Sequence, residues 1–511
     1  MSASAGQLAP TVRAEHPSIQ AHLASSLTAE QRSRVLVVSF TQWDFALAAL
    51  AEITVALHQQ GSELRMAFWT DHTPLRDPGW SSSARLAGLL GSASRDRHAM
   101  KALKAAGVPA SSFIDPPIRN WKPTAALPID RAMNRTQIRA LTYHGSPMGR
   151  AILQVHPDTE TPITDTFFWS RRWLMAAARS YAYVFDQTLE AIRRGEITAV
   201  VVYNGRFLHD RAASAAAEFA GVPVLYYDTG GIDTDYDVTD AVTHDWTDLQ
   251  RRMLAMYEAW PADERDAIGS SWFEERRSHA APNNSVFVAT QRIGESIEVP
   301  EGKRLIVYFS SSGDEIAELE IDWDMFIGKQ EHALQLLADE CRRLPDVTLV
   351  VRTHPHMRMK PKQDLQEWLE AVDRAAPDLH LDPYSPVDSY ALMTEADLVV
   401  TYGSTTGVEA AYVGKPVIVM GPSAYDVLGC ARFVGTQGDL AQALVDAQPG
   451  SWPAAVSYGL MMRRRGLMME AVQRDPNGGF SLAGQAFDDA PMPVQHAGHL
   501  YKRFQKWRLS R

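Results

Sequence analysis

Between Asp397 and Gly421 the chain reads DLVVTYGSTTGVEAAYVGKPVIVMG, and this run constrains the fold more than any other. Leu398-Val399-Val400 is a short unbroken apolar run, the pattern of a strand covered on both faces in a parallel sheet. Tyr402-Gly403 interrupts it. Ser404, Thr405 and Thr406 follow, with side chains able to accept from the orphan N–H groups of a helix start. The helix is expected to run to about Val413, where Gly414 suits a left-handed end and Pro416 bars continuation before Val417-Ile418-Val419-Met420. Strand, turn, helix and strand at this spacing make a crossover unit, and so a parallel α/β sheet. A helix that opens on hydroxyls and free N–H groups at the carboxyl end of a strand also offers a seat for an anion. Glu409, about one turn further on, is placed to accept from the vicinal hydroxyls of a ribose. The plainer alternative is that these residues only cap a helix.

The same alternation recurs along the chain. Arg34 to Phe40 reads as a buried strand, Phe45 to Gln60 as a helix closed by Gly61, and Leu64 to Trp69 as the next strand. Phe167 to Arg194 is expected to be a long helix. Ala199 to Tyr203 and Val222 to Tyr227 read as strands, with an Ala-rich helix from Arg211 to Ala220 between them. In the second half, Leu305 to Phe309 and Val347 to Val351 are strands around a helix from about Gln330 to Arg343. A chain of 511 residues has room for two large domains. The expected class is therefore α/β, with two Rossmann-like doubly wound domains. Residues 1–295 form the first, with a Pro/Ser/Arg-rich insertion at about 73–165, and 296–460 form the second. Residues 461–511 are expected to be helices packing back on the first domain.

In doubly wound sheets ligands sit outside the carboxyl ends of the strands. The first domain places Asp44, Asp71, His72, Asn204, Arg206 and Asp228 there, with turn or cap chemistry as the alternative for each. The second places three loops on one edge: Ser311, Ser312 and Gly313; Arg352 and His354; and Ser404, Thr405, Thr406 and Glu409. Their convergence carries more weight than any one of them. The middle loop brings a cation and an imidazole to face a phosphate held by the third. His354 could instead be a turn residue held by Pro355.

Composition closes off other classes. A formal net charge of −11 does not suit a protein that neutralises nucleic-acid phosphates over a broad surface. Two cysteines, Cys341 and Cys430, give neither a disulfide framework nor a cysteine metal site. No HExxH is present, and Asp233-Thr234-Asp235 and Asp322-Trp323-Asp324 match Asp-x-Asp only literally. The N-terminus lacks a signal-peptide pattern and no run approaches the ~20 apolar residues of a membrane span. A cytoplasmic location is expected. The basic tail YKRFQKWRLSR, with Arg463-Arg464-Arg465 before it, either makes a weak contact with an anionic membrane surface or is a solvated face.

Where LVVRTHPH is followed by LMTEADLVVTYGSTTGVEAAYVGKPVIVMG, the chain resembles the nucleotide half of GT-B-fold glycosyltransferases, nearest the bacterial capsule and surface-polysaccharide transferases. YFSSSGDE, Trp323 and Gln330 are similar to that group's second-domain opening, and NGR with the later DTGG to its first domain. The likeness spans about residues 200 to 425. It implies two domains facing a cleft, a nucleotide-sugar donor on the second and a glycan or small-molecule acceptor on the first, near Asn204 and Arg206. It also implies transfer without metal or further cofactor. By matched position His354 contacts the donor phosphate, Ser404 to Thr406 seat it and Glu409 holds the ribose.

Two positions depart from the pattern. Thr401 stands where many retaining GT-B enzymes carry a second glutamate, and Val408 precedes Glu409 where related 2-epimerases show a Glu-Glu pair. The reading is a glycosyltransferase with Asp44 or Asp228 as the base if transfer is inverting. A nucleotide-sugar epimerase, a glycerophosphate-type transferase and a non-catalytic glycan- or nucleotide-binding partner stay open beside it.

Overall fold

The computed structural model describes residues 18–40, 44–75, 96–130, 133–155, 171–232, 234–243, 245–281, 285–311, 326–359, 362–475 and 479–487. Ser312, Gly313, Asp233, the Asp322-Trp323-Asp324 run and the basic tail lie outside them. In the first half β1 (Arg34–Ser39), β2 (Glu63–Phe68), β3 (Ala199–Tyr203) and β4 (Val224–Thr229) run parallel. Val37 of β1 stands between Met66 and Val201. The apolar run of β1 follows from burial on both faces. Val35 and Val37 enter a layer with the Asp44–Gln59 helix, and Leu36 and Val38 enter the opposite layer under the Arg171–Gly195 and Leu208–Ala220 helices.

The second sheet is wholly parallel: β6 (Arg304–Phe309), β7 (Val347–Arg352), β8 (Leu379–Leu381), β9 (Leu398–Thr401), β10 (Val417–Val419) and β11 (Arg432–Phe433). Its order is β11-β10-β9-β6-β7-β8. In each sheet the chain winds outward on one side of its first strand and then crosses to the other. The order therefore reverses between β1 and β3, and again between β6 and β9. A crevice for ligands opens at such reversals. The doubly wound α/β class expected from the sequence is present in both halves.

Three features differ from expectation. The first sheet gains an antiparallel strand, β5 (Asp235–Thr239), because the short return after β4 cannot make the long crossover that a parallel strand needs. The Trp246–Ala259 and Ala262–Arg277 helices lie before residue 296, yet Leu249, Met253, Trp272 and Phe273 pack in the core of the second sheet. After the Trp452–Arg464 helix the chain forms no further helix among the described residues. Gly466 takes a positive φ of 104°, and four short strands follow: β12 (Leu467–Met468), β13 (Val472–Arg474), β14 (Phe480–Leu482) and β15 (Gln485–Ala486). β12 pairs with β5 and completes the first sheet as β12-β5-β4-β3-β1-β2.

This return segment is bound into the first core. Leu467, Val472, Phe480, Leu482 and Phe487 are all buried there. Glu52, 2% exposed in the Asp44–Gln59 helix, accepts the Val472 N–H at 2.6 Å. The chain thus crosses between the two units twice, and the second crossing is tied to the turn between β4 and β5: the Gly231 N–H donates to the Arg465 carbonyl at 2.8 Å. Arg252 adds a third tie, bonding Asp248 in its own helix and Asp237 of β5 at 2.8 and 2.9 Å. The described part of the 73–165 stretch is fixed to the Arg171–Gly195 helix. Trp121 and Tyr143 each donate to the Asp186 carboxylate at 2.8 Å, and Gln187 bonds both backbone groups of Ile118.

Candidate functional site

The turn after β9 is held from several sides. Gly403 has φ +84° and its missing Cβ would stand 1.9 Å from the Pro422 carbonyl oxygen, so only glycine fits. The Ser404 N–H donates to Thr401 Oγ1 at 3.0 Å, while the Tyr425 hydroxyl donates to the Ser404 carbonyl. The Thr406 hydroxyl donates to Ser404 Oγ at 3.0 Å. The helix then runs Thr406–Tyr412, and Gly414 takes the left-handed conformation expected of it.

Arg352 ends β7 and is 1% exposed, yet among the described residues no carboxylate forms an ion pair with it. Its nearest acceptor is the Ser385 carbonyl at 3.4 to 3.5 Å, and Nε has no partner. Burial pulls its pKa down to about 10, with the charges of Asp382 and Asp388 offsetting only part of that. Two residues on, His354 Nδ1 accepts the His356 N–H at 3.1 Å. That bond assigns the ring hydrogen to Nε2. Burial, with the neighbouring His356 and Arg352 charges, lowers the imidazole pKa to about 3, so it is a neutral donor. Ser310 anchors the same loop by accepting the His354 N–H at 2.8 Å.

Glu409, 4% exposed, accepts from Arg276 Nε at 2.9 Å, and Tyr390 lines the same pocket. Arg352, His354, Ser404, Thr405, Thr406 and Glu409 all line one pocket of about 570 Å³. It opens between the ends of β6 and β9, where the strand order reverses. Ser311 is beside it rather than in its lining, its N–H donating to Gln330 Oε1 at 2.6 Å. Sequence reasoning missed Arg276, Tyr390 and Phe287, which form the opposite wall. Arg276 pairs with a residue 133 positions away, which leaves no local pattern to read.

Asp44, Asn204, Arg206 and Asp228 stand on the first sheet, outside this pocket. Asn204 is buried at a positive φ of 51° and its side-chain amide donates to the Asp228 carboxylate. Arg206 Nε in turn donates to Asn204 Oδ1 at 3.0 Å. The Thr229 N–H and the Tyr203 hydroxyl add bonds to Asp228 at 2.7 and 3.3 Å. Asn-Gly turn geometry and an ordered carboxylate are therefore both present. Asp210, not singled out in the sequence, is buried in the first turn of the Leu208–Ala220 helix. Burial, and then the Asp228 charge, push its carboxyl well above the usual range. Asp44 opens the helix that follows β1.

Among the described residues no group of three or more His, Cys, Asp or Glu side chains could hold a metal ion. No described helix is long and apolar enough to cross a membrane.

Residues 319–446 match the capsule polysaccharide biosynthesis protein family. This capsule-family stretch is about a quarter of the chain, and it carries Arg352, His354, Ser404 to Thr406 and Glu409. No curated protein matches the chain. Among solved structures it is similar to the β-Kdo 2,4-transferase KpsC of Thermosulfurimonas dismutans, at 14% identity over 52% of this chain and 79% of that one, with a TM-score of 0.33. The β-Kdo 2,7-transferase KpsC of the same organism gives 17% identity, 54% and 80% coverage and a TM-score of 0.33. A Neisseria meningitidis UDP-GlcNAc 2-epimerase bound to UDP-GlcNAc covers 84% of this chain and 97% of its own, at 11% identity and a TM-score of 0.27.

Proposed function

We propose that this protein is a glycosyltransferase of surface-polysaccharide biosynthesis, moving a sugar from a nucleotide-sugar donor to a hydroxyl of a glycan or small-molecule acceptor without a metal ion. The observation that carries the reading is Arg352. A guanidinium buried with no carboxylate of the described residues in contact is costly unless an anion completes it. It lines a pocket with the neutral His354 donor and the Ser404 to Thr406 hydroxyls, a set that suits a phosphate. The capsule-family match over the same residues supports it.

In this reading the donor phosphate lies on Arg352 and His354, and the ribose hydroxyls on Glu409. As the acceptor oxygen bonds to the anomeric carbon, the bond from that carbon to the phosphate oxygen breaks. The electron pair leaves with the phosphate, stabilised by Arg352. A first-sheet carboxylate, Asp228 before Asp44, takes the acceptor proton if transfer inverts the centre.

The test is a thermal-unfolding panel with CMP, CDP, UDP, GDP, dTDP and ADP, each with and without Mg²⁺. At about a hundred times its dissociation constant a ligand stabilises by roughly 2.7 kcal/mol, an easily measured shift. One nucleotide standing out, with no dependence on Mg²⁺, supports the donor site and names its class. No response to any of them removes it.

A further inference from the structure

The carboxylate of the pocket is held by a helix that precedes the second sheet in the chain and packs into its core. Arg276 comes from the Ala262–Arg277 helix, ahead of the second sheet in the chain and outside the capsule-family stretch. It packs over Trp272, 4.5 Å from the ring centroid, and spends Nε on Glu409 Oε1 at 2.9 Å. Burial works against the Arg276 charge, and Glu409 together with Tyr390 and Tyr458 more than offsets it. Tyr390, from the first turn of the Ser389–Glu395 helix, lines the pocket beside it. An ionised carboxylate offers about four lone-pair positions. Arg276 occupies one of them, which leaves room for the two that a pair of vicinal hydroxyls would fill.

We infer that Arg276 is a positioning residue of this site: itself packed over Trp272, it fixes Glu409 and reserves the remaining acceptor positions for a cis-diol, and so makes the pocket select ribonucleotides over 2′-deoxyribonucleotides. The inference rests on the donor-site reading above. A missing 2′-hydroxyl leaves a buried acceptor unfilled, which lowers affinity by about ten- to a hundredfold. If Arg276 is removed, Glu409 loses its fixed orientation and the penalty for the missing hydroxyl falls.

The experiment titrates CMP, UDP, GDP and ADP, each beside its 2′-deoxy counterpart, against the wild-type chain, Arg276→Gln, Arg276→Lys and Glu409→Gln. Wild type should prefer the ribose form of whichever nucleotide binds by about tenfold or more. Arg276→Gln and Glu409→Gln should each bring that ratio near unity, and the double variant should go no further, as expected of two residues acting as one unit. Arg276→Lys, which keeps a cation but not the fixed fork, should recover part of the ratio and serves if the glutamine variant does not fold. A merely structural arginine would lower the unfolding temperature and leave the ratio alone. Nucleotides that bind with the wild-type ratio in both Arg276 variants leave the donor site standing and overturn the inference. No binding to wild type overturns both.

Discussion

Arg352 shows how a single side chain can be worse for stability than its replacement. It is 1% exposed and its closest acceptor among the described residues is the Ser385 carbonyl at 3.4 Å, so the fold bears a desolvated charge that Asp382 and Asp388 offset only in part. Arg352→Met, similar in length and apolar, should leave the unfolding temperature of the ligand-free protein unchanged or raise it. The same variant should weaken nucleotide binding by about 1.5–3 kcal/mol, the worth of a hydrogen bond to a charged group. A fall in stability with affinity intact would show that the arginine serves the fold. This residue and His354 were legible in the sequence, because VTLVVRTHPH ends a buried strand and puts them at its carboxyl end. Arg276 was not. Its partner Glu409 is 133 positions away, and an arginine near the end of an exposed-looking helix reads as a solvated charge.

At the scale of elements, the Asp44–Gln59 helix is more than a cover for the first sheet. Glu52 faces inward and fastens the return segment through the Val472 N–H. Burial pushes its pKa up to about 6 from an ordinary 4.5, against the pull of the backbone N–H groups around Val472. The folded state therefore holds the proton more tightly than the unfolded one. The resulting stabilisation is fully present below about pH 4.5 and is lost as pH rises through 6, about 2 kcal/mol in all. Glu52→Gln cannot ionise and still accepts the same N–H. Unfolding free energies measured from pH 4 to 7 should show that loss in wild type and not in the variant, and parallel curves would refute the assignment. The helix itself was readable from its apolar periodicity and Gly61 stop, and the strands β1 to β4 from their unbroken apolar runs. β12 to β15 were not, since strands of two or three residues are too short to show a period. They form because β5 offers an open edge and the first core has space beneath it.

For the whole molecule, the sequence yielded two α/β halves but not how they are joined. Linker composition suggested a boundary near residue 296, whereas the two helices before it pack with the second sheet and the chain returns to the first sheet at β12. Boundaries of this kind depend on contacts between residues far apart, which no local pattern records. Ending the chain after Arg465 would remove five large buried apolar side chains, Leu467, Val472, Phe480, Leu482 and Phe487. At about 1.5–3 kcal/mol each the loss is roughly 10 kcal/mol, comparable with the whole stability of a domain. The truncated protein should show a first unit that no longer unfolds cooperatively, while the second still responds to nucleotide. An unfolding profile identical to that of the full chain would contradict this account.

The same return segment sets an order of events at the ribosome. β5 ends at Thr239 and its neighbour β12 begins at Leu467. At ordinary elongation rates that interval is about 10–45 s, so the nascent first sheet must wait with one edge unpaired and part of its core wet. Unpaired edges invite pairing with other chains. β5 carries Asp235 and Asp237 in its five residues, charges suited to discourage such pairing until β12 is made.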